Sequence, residues 1–334
     1  MLRGPAGALA ALGVILCTVP AEPSAAGAPD DYLRRLAGVV ERRLDELAGG
    51  RAPKLTPPVP VAVAWKALRL GSLDLGAPLV AMTAGDLDAD GSAELYAVTS
   101  REVIVVVLRG GKLLELGRVA FGGERAVPAP RDVVGTAMIE GRELVVAVSA
   151  WAQELRVALV KGTPVAVPGG PGYLVCPGER WQLVPGRNYF AGDLYGVRCR
   201  ELVDRAGTPL RLRAQLAVTG KLAVEVQRCV PGAAACERAG GFEYAGVGTA
   251  FELADVDRDG TPEVIVSGYV APGDADAVKV IELGGDDKKG LFRKAFNGGV
   301  VGVAVLERPR AEPPLVVVAV RLAGATRVDL WRLD

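Results

Sequence analysis

Asp255-Val256-Asp257-Arg258-Asp259-Gly260-Thr261-Pro262-Glu263 runs straight into the apolar stretch Val264-Ile265-Val266. The same arrangement occurs earlier as Asp86-Leu87-Asp88-Ala89-Asp90-Gly91-Ser92-Ala93-Glu94, followed by Leu95-Tyr96-Ala97-Val98. In both copies acids stand at positions one, three, five and nine, and glycine at position six. Side chains alternate in direction along an extended loop, so the odd positions converge on one centre. Carboxylates held that close repel one another, and a hard cation among them relieves the repulsion. The seventh residue, Ser92 or Thr261, can add its backbone carbonyl, and glycine at position six permits the sharp turn. An all-oxygen set of this kind suits Ca²⁺. Mg²⁺ demands a stricter octahedron, and softer metals prefer nitrogen or sulfur. An Asp-Gly pair alone also makes a polar hairpin turn, but recurrence of the whole acidic ladder favours the metal reading. The expected dissociation constant is about 10⁻⁴ to 10⁻³ M or somewhat tighter, adequate outside the cytoplasm.

The flanks decide what kind of loop this is. An EF-hand needs glutamate at the twelfth position, where this chain has Ala97 or Val266, and helices on either side. Here the flanks read as strands. Short apolar runs bounded by Gly, Pro or charged turns recur from about residue 61 onward, among them Val103–Leu108, Leu144–Val148 and Leu315–Val320. Such near-continuous apolar strands imply burial on both faces. The runs fall into groups of four over residues 79–119, 133–167 and 249–296, and a last group over 300–333 has only three. Repeated four-stranded units predict an all-β fold, a β-propeller of five to seven blades. A propeller ring must close, and the stretch from Val61 through Leu73 is placed to supply the strand missing from the last blade. Residues 172–241 read as one distorted blade or as two.

The acidic loops between strands resemble those of FG-GAP and VCBS-type repeats, as in integrin-α-like propellers. The residues that carry this resemblance are Asp86, Asp88, Asp90, Gly91 and Glu94, with Asp255, Asp257, Asp259, Gly260 and Glu263. It implies a propeller with Ca²⁺ held in loops between the first two strands of some blades. Leu75-Gly76-Ala77-Pro78 stands where such repeats carry a Gly-Ala-Pro signature, and the ninth position is Glu where Asp is more usual.

Composition narrows the function. The 334-residue chain has no net formal charge, with both signs interleaved and no basic block, which argues against nucleic-acid binding. It contains no histidine, so Ser-His-Asp and Cys-His catalysis and imidazole-dependent metal sites are excluded. At the N-terminus Arg3, the apolar run Ala8–Val19 and the small residues Ser24–Ala28 read as a signal peptide over residues 1–28. Residues 29–60 follow as an amphipathic helix and a Pro-rich linker. Asp30 caps the helix, Tyr32, Leu33, Leu36, Val39, Val40, Leu44 and Leu47 form its apolar face, and Gly49-Gly50 ends it. No segment after signal cleavage is long and apolar enough to span a bilayer. Leu16 precedes Cys17 where lipidation sites carry a small residue, so lipid anchoring through Cys17 is disfavoured.

Residues 61–334 would then form the propeller of a periplasmic, secreted or cell-surface protein. Its cysteines, Cys176, Cys199, Cys229 and Cys236, are even in number and predict disulfides in such a compartment. Pairing Cys176 with Cys199 and Cys229 with Cys236 closes the shorter loops. The functional expectation is a non-enzymatic interaction or scaffold protein with a protein or glycan partner. The alternative is a carboxylate-dependent propeller enzyme, a polysaccharide lyase or glycoside hydrolase, for which Glu179, Asp193 and Glu201 are the loosely clustered acids.

Overall fold

A computed structural model describes residues 55–333 other than 123–132, 168, 170–172, 178, 182–188, 190–191, 230–235, 272–273, 286–288, 310 and 323–325. The expected signal peptide, the helix over residues 30–47 and Cys17 lie outside the described residues. Every regular element that is described is a strand.

The first strand, β1 (Ala67–Asp74), belongs to the last blade. Blade one comprises β2 (Leu79–Gly85), β3 (Glu94–Thr99), β4 (Glu102–Arg109) and β5 (Lys112–Ala120). Blade two comprises β6 (Gly135–Glu140), β7 (Glu143–Val148), β8 (Leu155–Val160) and β9 (Thr163–Val167). A hairpin of β10 (Tyr173–Cys176) and β11 (Glu179–Trp181) intervenes. Blade three follows as β12 (Leu194–Val203), β13 (Pro209–Ala217), β14 (Leu222–Arg228) and β15 (Glu237–Tyr244). Blade four holds β16 (Val247–Ala254), β17 (Glu263–Gly268), β18 (Asp276–Glu282) and β19 (Phe292–Phe296). Blade five holds β20 (Gly299–Leu306), β21 (Leu315–Arg321) and β22 (Arg327–Leu333), with β1 as its outermost strand. The innermost strands β2, β6, β12, β16 and β20 neighbour one another in that order, and β20 returns to β2. The molecule is a five-bladed β-propeller, at the lower bound of the expected count.

The expected ring closure is present. β1 runs antiparallel to β22, with Ala67 opposite Leu333 and Asp74 opposite Arg327. Asp329 accepts hydrogen bonds from Arg69 Nη2 at 2.9 Å and Ser72 Oγ at 2.7 Å, tying the two ends of the chain together.

Continuous apolar strands arise because each blade packs between two others. In β21, Leu315, Val317 and Ala319 face blade one, whereas Val316, Val318 and Val320 face blade four. In β4 the split is Ile104 and Val106 toward blade five, and Val103 and Val105 toward blade two.

Blade three departs from this rule, which explains why its sequence is harder to read. On β13 only Leu210, Leu212, Ala214 and Leu216 are buried, all in the core shared with blade four. The face toward blade two is polar, and the β10–β11 hairpin meets it at Arg213. Arg213 on that face is paired with Glu179 at 2.6 Å and lies over the Trp181 ring. The described residues within 172–241 thus form one blade plus a hairpin. Both disulfides join as expected, Cys176 to Cys199 and Cys229 to Cys236. The first fastens the hairpin to β12 at a seam where the apolar clusters are small. Glu154, its side chain fully buried, reinforces that seam by pairing with Arg156 at 2.9 Å and Arg180 at 2.8 Å.

Candidate functional site

The two acidic loops connect β2 to β3 and β16 to β17, and so lie on the same face of the propeller. Their backbones are built alike. In each, the first aspartate accepts from the sixth-position amide: Gly91 N to Asp86 Oδ2 at 2.9 Å, and Gly260 N to Asp255 Oδ2 at 3.0 Å. The third accepts from the fifth, Asp90 N to Asp88 at 3.2 Å and Asp259 N to Asp257 at 3.1 Å. The fifth accepts from the seventh, Ser92 N to Asp90 at 2.8 Å and Thr261 N to Asp259 at 2.7 Å. The ninth reaches back to the second, Leu87 N to Glu94 at 3.1 Å and Val256 N to Glu263 at 2.6 Å. Leu87 and Val256 are themselves buried and anchor each loop in the core. Positions four and six adopt positive φ in both copies: Ala89 at 59° and Arg258 at 55°, Gly91 at 90° and Gly260 at 82°.

This folding gathers the acids. Carboxylate oxygens of Asp86, Asp88, Asp90 and Glu94 lie within 4.8 Å of one another, and so do those of Asp255, Asp257 and Glu263. Oxygens bound to one Ca²⁺ at 2.3–2.6 Å lie at most about 5 Å apart, so both clusters have a span that a single ion can bridge. Either group can hold a metal ion. Ser92 and Thr261 contribute their amides to the turn, as above. Asp259 stands apart from the second cluster, because its carboxylate forms an ion pair with Arg205 of the β12–β13 loop. Nothing in the linear spacing reveals Arg205. It sits 54 residues from Asp259 and reaches it only because blades three and four are adjacent.

Electrostatics match a site that wants positive charge. Glu263 is buried, and this raises its pKa to about 9, with Asp257, Asp255 and Asp259 adding repulsion. Burial likewise pushes Asp255 up to about 6, again with its aspartate neighbours contributing. Asp257 and Glu94 are raised in the same direction, burial being the first cause in each. Tyr96, a fully buried member of an apolar strand, donates its hydroxyl to Glu94 Oε2 at 2.8 Å. Asp255 Oδ1 is buried without any hydrogen-bond partner.

A second feature opens on the same face. The ends of the inner strands enclose a central cavity of about 340 Å³. Arg198 on β12 lines it, and also lines a smaller cavity of about 50 Å³ toward the opposite face, so it marks the waist of the channel. Its Nη1 donates to Thr136 Oγ1 at 3.2 Å and to the Val197 carbonyl at 2.9 Å, and its guanidinium lies 5.4 Å from the centre of the Phe251 ring. Glu252, with no exposed side-chain surface, is held by Arg200 at 3.0 Å. Arginines alternating along a strand look like a solvated edge, so the linear sequence does not mark this group. Of the loosely clustered acids, Glu201 lies in this cavity and pairs with Arg211 at 3.0 Å, whereas Glu179 lies in the blade-two seam.

The fold and site define a five-bladed propeller bearing two acidic loops. No protein family matches the chain, and no curated protein does. Among solved structures it is similar to a member of the DUF4221 family from Bacteroides vulgatus. That match is 7% identical with a TM-score of 0.38, covering 82% of this chain and 98% of that one. It is also similar to a Thermus thermophilus protein whose name proposes an oxidoreductase (glucose dehydrogenase). There the identity is 11% and the TM-score 0.35, with 81% of this chain and 100% of that one covered. Likenesses of this size carry no argument about activity.

Proposed function

We propose that the protein is a Ca²⁺-stabilised β-propeller acting on the exported side of the membrane as a non-enzymatic interaction or scaffold protein. The observation that carries this reading is the shared backbone of the two loops, which brings oxygens from positions one, three and nine together in both. Oxygen-only donors favour a hard cation, and the resemblance to FG-GAP and VCBS-type loops points to Ca²⁺ among such cations. Bound there, Ca²⁺ would be held by Asp86, Asp88, Asp90 and Glu94, and by Asp255, Asp257 and Glu263, and would supply charge neutralisation rather than chemistry. Its role is architectural: it fixes the turn between the two inner strands of a blade.

Two disulfides fit an oxidising, exported compartment, and among the described residues no helix is long and apolar enough to cross a membrane. A periplasmic, secreted or cell-surface location follows from this reading. The absence of catalysis is supported by the cavity itself. Glu252 is paired with Arg200, Glu201 with Arg211, and Glu307 lies 3.8 Å from Arg258, so each carboxylate on its wall has an arginine beside it. Among the described residues the wall therefore offers no carboxylate without an arginine neighbour, unlike the couple that glycoside hydrolysis uses. The partner, protein or glycan, would meet the loop face. A pull-down from the exporting cell's envelope, with and without Ca²⁺, tests this: one reproducible Ca²⁺-dependent partner supports it, and turnover of a polysaccharide by the purified protein overturns it.

A further inference from the structure

The two acidic loops share a ladder and a backbone, yet the chain places a cation beside only one of them. The fifth aspartate of each loop spends one oxygen inside the turn: Asp90 Oδ1 accepts from Ser92 N, and Asp259 Oδ1 from Thr261 N. Its second oxygen is the one left for an ion. In the first loop Asp90 joins Asp86, Asp88 and Glu94, and among the described residues no ion pair reaches any of the four. In the second loop Asp259 Oδ2 is taken by Arg205 Nη2, and Asp259 is missing from the cluster of Asp255, Asp257 and Glu263. That cluster still lacks a cation of its own, since Asp255 Oδ1 is buried there without a hydrogen-bond partner.

Arg205 is fixed in this position at two levels. Its side chain holds Asp259 twice, because Nε also donates to the Asp259 carbonyl at 2.8 Å. Its backbone is pressed against the loop, where a Cβ on Gly260 would meet Arg205 Cα at 2.8 Å. The turn that presents it is tied by Asp204, which accepts from Ala206 N and Thr208 N at 2.8 Å each. Arg258, at position four of the same loop, donates instead to the Arg308 carbonyl at 2.7 Å. Ca²⁺ affinity follows the number of charged ligands. The first loop offers four carboxylates, and the second offers three beside an arginine that competes for the fourth.

We propose that Arg205 is a built-in competitor for the second metal site: it occupies the Asp259 oxygen that the first loop leaves for the ion, lowers the Ca²⁺ affinity of the second loop, and makes the two sites fill in order. This rests on the calcium reading of the loops and adds how their occupancy is graded. Coupling of this kind is reciprocal, so Ca²⁺ entering the second loop loosens the Arg205–Asp259 tie between blades three and four.

Calorimetric titration of the full, chelator-treated protein with Ca²⁺ tests it, with Asp255→Asn isolating the first site and Asp86→Asn the second. The first site should bind at least about fivefold more tightly. In the Asp86→Asn background, Arg205→Gln should tighten the second site at least about fivefold, and adding Asp259→Asn should return it to its starting affinity. Tightening is a result that damage to the fold does not produce, and the Arg205 side chain is 65% exposed, so the change opens no core. Should Arg205→Gln fail to fold, the ranking of the two sites decides alone. Equal or reversed affinities, no tightening in a folded Arg205→Gln variant, or tightening that survives Asp259→Asn overturns the proposal. The calcium reading fails separately, when neither single-site variant binds Ca²⁺.

Discussion

Gly91 and Gly260 occupy the sixth position of their loops at φ of 90° and 82°, a conformation that strains any residue with a Cβ. Their surroundings differ. A Cβ on Gly91 would meet nothing within 4 Å, whereas one on Gly260 would sit 2.5 Å from the Arg205 backbone nitrogen. Gly91→Ala should therefore cost about 1 kcal/mol and Gly260→Ala about 2–3 kcal/mol or more, read from denaturant unfolding. Equal losses would contradict the packing of Arg205 against the loop. The same packing separates two aspartates that the sequence treats as equivalent. Asp90 belongs to its cluster, while Asp259 is paired with Arg205. Asp90→Asn is expected to weaken the first site at least about tenfold and Asp259→Asn to change the second only a few-fold, by calorimetry. Protonation adds a further test. Glu263 and Asp255 have folded pKa values of about 9 and about 6, above those of the unfolded chain. Between the unfolded and folded values the native state binds more protons, so stability falls as pH rises. In chelator the melting temperature should drop from about pH 5 to about pH 9, and Ca²⁺ should flatten that slope by replacing the protons. A rising melting temperature in chelator across that interval would contradict the electrostatic account.

At the scale of elements, legibility followed burial. Blades packed on both faces announce themselves, as β21 does with Leu315–Val320, because every residue must be apolar. β13 alternates Leu210, Leu212 and Leu216 with Arg211, Arg213 and Gln215, and linear spacing does not show that Arg213 meets Glu179 of a short hairpin. The acidic loops were legible because their chemistry is local. Arg205, Arg198 and Glu252 were not, since their partners come from other blades. The seam between blades two and three depends on the Cys176–Cys199 bridge more than on apolar packing. Replacing both cysteines with serine should cost about 2–5 kcal/mol, compared by denaturant melts with the same change at Cys229 and Cys236. The latter pair closes a loop with a sequence separation of only 7, and its loss should cost less. Asp276 works differently, accepting from Ala277 N at 2.6 Å, Gly268 N at 2.9 Å and Val300 N at 3.2 Å, the last in the next blade. Asp276→Ala leaves these amides without their acceptor, and a loss of about 2–4 kcal/mol is expected on thermal or chemical unfolding.

The propeller is a ring whose last blade is completed by pairing β1 with β22. Deleting residues 67–74 would leave β22 as a bare edge and expose Val328 and Leu330, now buried, so the truncated protein should aggregate or elute as oligomers rather than as a monomer. The five inner strands bring both acidic loops and the wide end of the channel to one face. Whether the loops serve as metal-set corners of this ring is open to one direct measurement: calorimetric titration of the chelator-treated protein with Ca²⁺, beside Asp86→Asn and Asp255→Asn variants. The account predicts two sites per chain, one lost in each variant, and a melting temperature raised by the ion. No heat of binding together with a melting temperature indifferent to Ca²⁺ and chelator would contradict it.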